Sequence, residues 1–146
     1  MKKSLKLRLT AFIAALVLCL SWSTALAAAP GEDAVSPNYT GILSTSNDFY
    51  LTAGLLKCFA RLETKNNYTA DITVQLQVYD DRWRTTATWS DDRDATIAFV
   101  SEDYTPPRSS EDKKYRLYIT NKAYDSSGKL VETVYTTSNT VTVPGN

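Results

Sequence analysis

Apolar and polar residues alternate along most of this chain. Between residues 71 and 90, Ile72, Val74, Leu76 and Val78 alternate with Thr73, Gln75, Gln77 and Tyr79. That is the period-two pattern of a half-buried strand. Asp80 and Asp81 interrupt the pattern, and Trp83, Thr85, Ala87 and Trp89 resume it. Two such runs around a polar break predict a β-hairpin, and the rest of the chain is expected to pack around it. Equal parity puts Trp83 and Trp89 on one face of the second strand, with Arg82, Arg84, Thr86 and Thr88 on the other.

The pattern extends in both directions. Residues 39–51 predict two short β pieces around residues 44–48, with Gly54 marking the next turn. Residues 55–64 predict a strand with Leu56, Cys58, Ala60 and Leu62 inward, which leaves Phe59 outside; the opposite register stays open. Lys65-Asn66-Asn67 is a turn. After an acidic loop at Asp91, Asp92 and Asp94, residues 95–100 predict a short strand with Ile97 and Phe99 on one face. Residues 101–112, with Pro106-Pro107, form a surface connection.

Residues 114–124 alternate again, with Tyr115, Leu117, Ile119 and either Ala123 or Tyr124 toward the core. Asp125-Ser126-Ser127-Gly128 turns the chain into an antiparallel return over residues 130–135, and residues 140–143 make a last strand. No stretch of residues 28–146 carries helical apolar spacing over ten residues. Seven to nine strands predict an all-β, antiparallel β-sandwich over residues 39–146.

The N-terminus changes the setting. Lys2, Lys3, Lys6 and Arg8 precede an apolar run from Leu9 to Leu20, and Ala25-Leu26-Ala27 offers small residues at a cleavage site. This is the composition of a secretory signal peptide over residues 1–27, and about a dozen apolar residues fall short of a membrane span. Cleavage one pair later would put Pro30 first, a poor residue beside a scissile bond, so the cut is expected after Ala27. Residues 28–38 are small, acidic and proline-bearing and read as a flexible lead-in. The expected localisation is secreted, with no membrane span after cleavage.

Export also alters the charge. Four of the 16 basic residues and none of the 16 acidic residues lie in the leader, leaving 12 against 16 and a net charge of −4. That balance argues against nucleic acid as a partner. Cys58 becomes the sole cysteine, so no internal disulfide forms, and its apolar surroundings predict a buried, inert thiol.

The run 115–128, YRLYITNKAYDSSG, resembles the penultimate strand and final turn of immunoglobulin-like and fibronectin type III domains. The resemblance implies an immunoglobulin-like sandwich in which Tyr115, two residues before Leu117, pins a corner. The immunoglobulin disulfide is absent, because Leu117 stands where the partner of Cys58 would be. The pattern of Leu76-Gln77, Trp83, Trp89 and Tyr115-Arg116 behind a leader also resembles small exported bacterial proteins of unknown function, which implies no activity.

Candidate chemistry is sparse. With no histidine, Ser-His-Asp and Cys-His catalysis and histidine metal sites are excluded. No phosphate-cradling glycine loop occurs. A carboxylate pair of the glycosidase kind is the catalytic arrangement that the composition still permits. The chain is therefore expected to be non-catalytic and to need no cofactor. Its acidic clusters, Asp80-Asp81 and Asp91, Asp92 and Asp94, read as solvated turns rather than calcium ligands. The candidate binding residues are Trp83, Trp89, Tyr79 and Tyr118, with Tyr135 as a further ring. They serve either as an exposed platform for a cell-surface protein or glycan or, for at least one tryptophan, as core. An assembly protein pairing through an edge strand is the alternative, and a small hydrolase the third reading.

Overall fold

Threonine, tyrosine and valine fill the alternating stretches, and such side chains suit a pleated, half-buried surface. A computed structural model of the protein describes residues 38–92 and 94–145, and in them these stretches form eight strands. They are β1 (Ile42–Thr52), β2 (Leu55–Thr64), β3 (Tyr68–Asp80), β4 (Arg82–Asp91), β5 (Ile97–Tyr104), β6 (Lys113–Asp125), β7 (Leu130–Thr137) and β8 (Val141–Val143). The expected leader at residues 1–27, its cleavage site and residues 28–37 of the lead-in lie outside the described residues.

All pairings are antiparallel. One sheet has the order β1-β2-β5 and the other β4-β3-β6-β7, with β8 pairing the start of β6. The described residues form an all-β sandwich. Leu56, Cys58, Ala60 and Leu62 of β2 join Ile72, Val74 and Leu76 of β3 and Leu117 and Ile119 of β6 in one buried cluster. Each is at most 2% exposed, so Phe59 faces outward and the first of the two registers holds. On β6 it is Ala123, rather than Tyr124, that turns inward. Asn121 is also buried there; its Nδ2 donates to the Val134 carbonyl at 3.3 Å, and its Oδ1 has no hydrogen-bond partner among the described residues.

Two strands run longer than expected. Ser44 to Asn47 suggest a break because serine and asparagine favour turns, but they pair with residues 60–63 of β2, making β1 continuous. An edge strand with one face in water tolerates such residues. Strand β5 continues past Val100 because residues 101–104 pair with residues 56–59 of β2. Ala98 and Val100 turn inward, and Ile97 and Phe99 lie on the outer face.

The hairpin between β1 and β2 closes through Ala53 and Gly54, both with positive φ (49° and 78°), as a tight two-residue turn requires. At the opposite end, Glu132 of β7 accepts hydrogen bonds from the N–H groups of Thr40, Gly41 and Ile42 at 3.2, 2.9 and 3.0 Å. One side chain thereby ties the start of β1 to the five-stranded sheet. A Cβ on Gly41 would lie 3.0 Å from the Ala123 Cβ, so a larger residue here would push the two elements apart by a few tenths of an ångström. Burial opposes ionisation of Glu132, but the three N–H groups and nearby Lys65 outweigh it and hold its carboxyl below the ordinary range.

Tyr115 is buried, but its hydroxyl makes no hydrogen bond to backbone among the described residues. Its ring instead lies 6.5 Å from that of Tyr104.

Candidate binding face on the five-stranded sheet

The hairpin that organises the fold contains a register shift. Leu76 of β3 pairs with Ala87, whereas Gln77 pairs with Thr85, so Thr86 is an extra residue on β4. A bulge of this kind inverts the side-chain parity of whatever lies beyond it. Trp89, opposite Val74, points inward and packs against the core. Trp83, opposite Tyr79, points outward. The shared face expected for the two tryptophans is therefore corrected: Trp89 leaves the candidate platform and Trp83 stays on it. The opposite polar face is corrected as well. Thr86 sits 3.0 Å from the Tyr104 hydroxyl, bridging β4 to the other sheet, while Thr85 takes the outward place beside Gln77.

On the outer face, Trp83 is held from two sides. The Tyr79 ring meets it in an edge-on arrangement with centroids 5.3 Å apart, and the Arg116 guanidinium carbon lies 4.2 Å from its ring centre. Arg116 Nε donates to Gln77 Oε1 at 2.9 Å, which fixes the guanidinium over the indole. Each contact is a modest increment, about 0.5–1 kcal/mol for a cation over an exposed ring, but together they pre-set the rotamer. Two residues along β6, Tyr118 stacks on Tyr135 of β7, with centroids 5.9 Å apart and planes 20° from parallel. Tyr79 and Tyr135 are 46% and 61% exposed, so this band of rings faces water.

Pairing of β3 with β6 ends at Val78 and Tyr115. Just beyond it, a shallow depression of about 560 Å³ opens between Tyr79 and Trp83 on one side and Lys114, Thr140 and Thr142 on the other. Its walls thus combine two aromatic rings, a cation and two hydroxyl-bearing side chains. Lys114, Arg116, Thr140 and Thr142 are additions to the residues expected from the sequence. Their outward parity is legible beside inward Tyr115 and Leu117, but their meeting with Trp83 depends on the pairing registers.

Elsewhere, Cys58 is a free, buried thiol; burial first, then the charges of Asp103 and Glu102, push its pKa up to about 12. Asp80 pairs with Arg84 at 3.9 Å, and Asp91 accepts a hydrogen bond from the Phe99 N–H at 3.0 Å. Among the described residues, no three of histidine, cysteine, aspartate or glutamate gather as a metal site.

The outer face of the three-stranded sheet carries a second exposed strip, which local alternation does not announce. Tyr50, Phe59, Phe99 and Ile97 fall on successive rows there and form a diagonal apolar line. The Lys57–Asp103 and Arg61–Glu63 ion pairs flank it.

Comparison with protein families, with curated proteins and with solved structures returns no match to this chain.

Proposed function

We propose that this is a secreted, non-catalytic binding module that contacts a cell-surface glycan or protein through the outer face of its five-stranded sheet. The observation that carries the reading is the pre-set array of Trp83, Tyr79 and Arg116 beside an open depression. Aromatic side chains fixed before binding lose little entropy on contact, and rings offered to solvent suit sugar faces or protein hot spots. The finer fold assignment belongs to the same proposal. The division of strands into β1-β2-β5 and β4-β3-β6-β7 supports an immunoglobulin-like sandwich of the fibronectin type III kind, for which loops and sheet faces commonly serve recognition. The composition of the N-terminus supports secretion.

The test is binding of the labelled protein to glycan arrays and to isolated cell envelopes, with Trp83→Ala and Tyr118→Ala beside the parent. A loss of binding in variants that still unfold cooperatively supports the reading. Binding that survives both substitutions counts against it.

A second reading has its own observation. Strand β1 is an eleven-residue sheet edge with one charged residue, Asp48, and neither lysine nor proline to blunt it. Such an edge suits strand addition by a partner chain, the assembly role. Concentration-dependent association in sedimentation, abolished by Thr45→Pro, would favour this role over the first.

A further inference from the structure

Five of the eleven cations among the described residues are neutralised locally. Lys57, Arg61, Arg84, Lys113 and Lys122 each lie within 4.0 Å of a carboxylate oxygen. Lys114 and Arg116 differ: among the described residues, no carboxylate stands within ion-pair distance of either. Both point outward from β6, on the face opposite buried Tyr115 and Leu117. Lys114 lines the depression, and Arg116 covers one side of Trp83. Two uncompensated positive charges thus border an aromatic wall in a chain whose exported form carries a net charge of −4.

We propose that the depression binds an acidic saccharide, a sugar unit bearing a carboxylate. This inference rests on the binding-face reading above and specifies its ligand. Each part of the site meets one feature of such a ligand. The C–H face of a pyranose packs on Tyr79 and Trp83, as apolar patches of sugars do on aromatic rings. Its hydroxyls exchange hydrogen bonds with Thr140 and Thr142. Its carboxylate meets Lys114, with the free end of Arg116 adding to the local field. A neutral sugar would leave that charge unused. A nucleic acid would meet only two cations here, too few for the phosphate spacing it presents.

The experiment uses an array of uronic-acid and sialic-acid oligosaccharides printed beside their carboxyl-reduced counterparts, probed with the full protein. Acidic members are expected to be retained at least tenfold better than the reduced forms. Retention should fall about tenfold with Trp83→Ala and about fivefold with Lys114→Ala, hold with Lys114→Arg, and weaken as salt rises. Equal retention of acidic and reduced forms, still dependent on Trp83, overturns the inference and leaves the binding face standing. Retention of no saccharide overturns it too. In that case, Trp83-dependent binding to cell envelopes keeps the broader reading, and loss of that binding as well removes both.

Discussion

Trp83 and Trp89 lie on one strand, an even number of residues apart, yet project from opposite faces of the sheet, because Thr86 is bulged between them. One tryptophan serves the core and the other the surface. The bulge also sends the Thr86 hydroxyl across to Tyr104 of β5, so the residue that inverts the parity also links the two sheets. Bulges increase local twist and re-aim side chains, and here the re-aimed side chain is Trp83.

Deleting Thr86 should remove the bulge and leave Trp83 five residues from Trp89, still outward beside Tyr79 and under Arg116. The expected cost is about 1 kcal/mol, from the lost Thr86–Tyr104 hydrogen bond, with the surroundings of the indole unchanged. Urea unfolding followed by tryptophan fluorescence measures both effects. A deletion variant whose emission shifts, as burial of Trp83 would cause, would contradict the assignment of the bulge.

The two tryptophans should differ in stability cost. Trp89→Ala removes a ring packed against the core and should cost about 3 kcal/mol. Trp83→Ala removes an outward ring with one cation and one aromatic neighbour and should cost about 1 kcal/mol. Chemical denaturation of both variants decides this, and the reverse order would refute the placement.

Glu132→Gln should destabilise the protein by about 1–2 kcal/mol at neutral pH, since charge-assisted bonds to three N–H groups are weakened. The folded carboxyl is held below its ordinary value of 4.5. The advantage of the parent over the variant is therefore fully present above that pH and is lost as pH falls through the folded pKa. Paired acid-unfolding curves should converge at low pH.

Cys58 should resist thiol reagents in the folded state and react on unfolding. Its pKa is raised from 9.0 to about 12, so the folded state disfavours the thiolate. The stability that the protonated thiol contributes is complete below pH 9 and declines by about 1.4 kcal/mol per pH unit as pH rises toward 12. The stability difference between the parent and Cys58→Ala, measured from pH 8 to 11, should follow that slope. A flat difference would contradict it.

Much of the fold is legible in the sequence because one physical signal dominates it. Leu56 to Leu62 and Ile72 to Val78 alternate cleanly, and a sheet with one face buried enforces that alternation. The hairpin turns at Asp80-Asp81 and at Gly128 are equally plain. The site is less legible. A bulge leaves alternation intact on both sides and shifts its phase between them, so Thr86 looks like any other threonine in a run of them. Arg116 reaches Trp83 only through the β3–β6 register, which no local pattern records. Strand β1 looks like two pieces because Ser44 to Asn47 are turn formers, and the long partner strand that overrides them is distant in sequence.

The central claim is that ligand meets the face bearing Trp83 and not the one bearing Trp89. Two-dimensional NMR of the ¹⁵N-labelled protein titrated with an oligogalacturonate tests it most directly. The Trp83 indole signal and the amides of Tyr79, Lys114 and Arg116 should shift together while the Trp89 indole stays still. Shifts confined to Trp89, or to Tyr50, Phe59 and Phe99 on the other sheet, would contradict it.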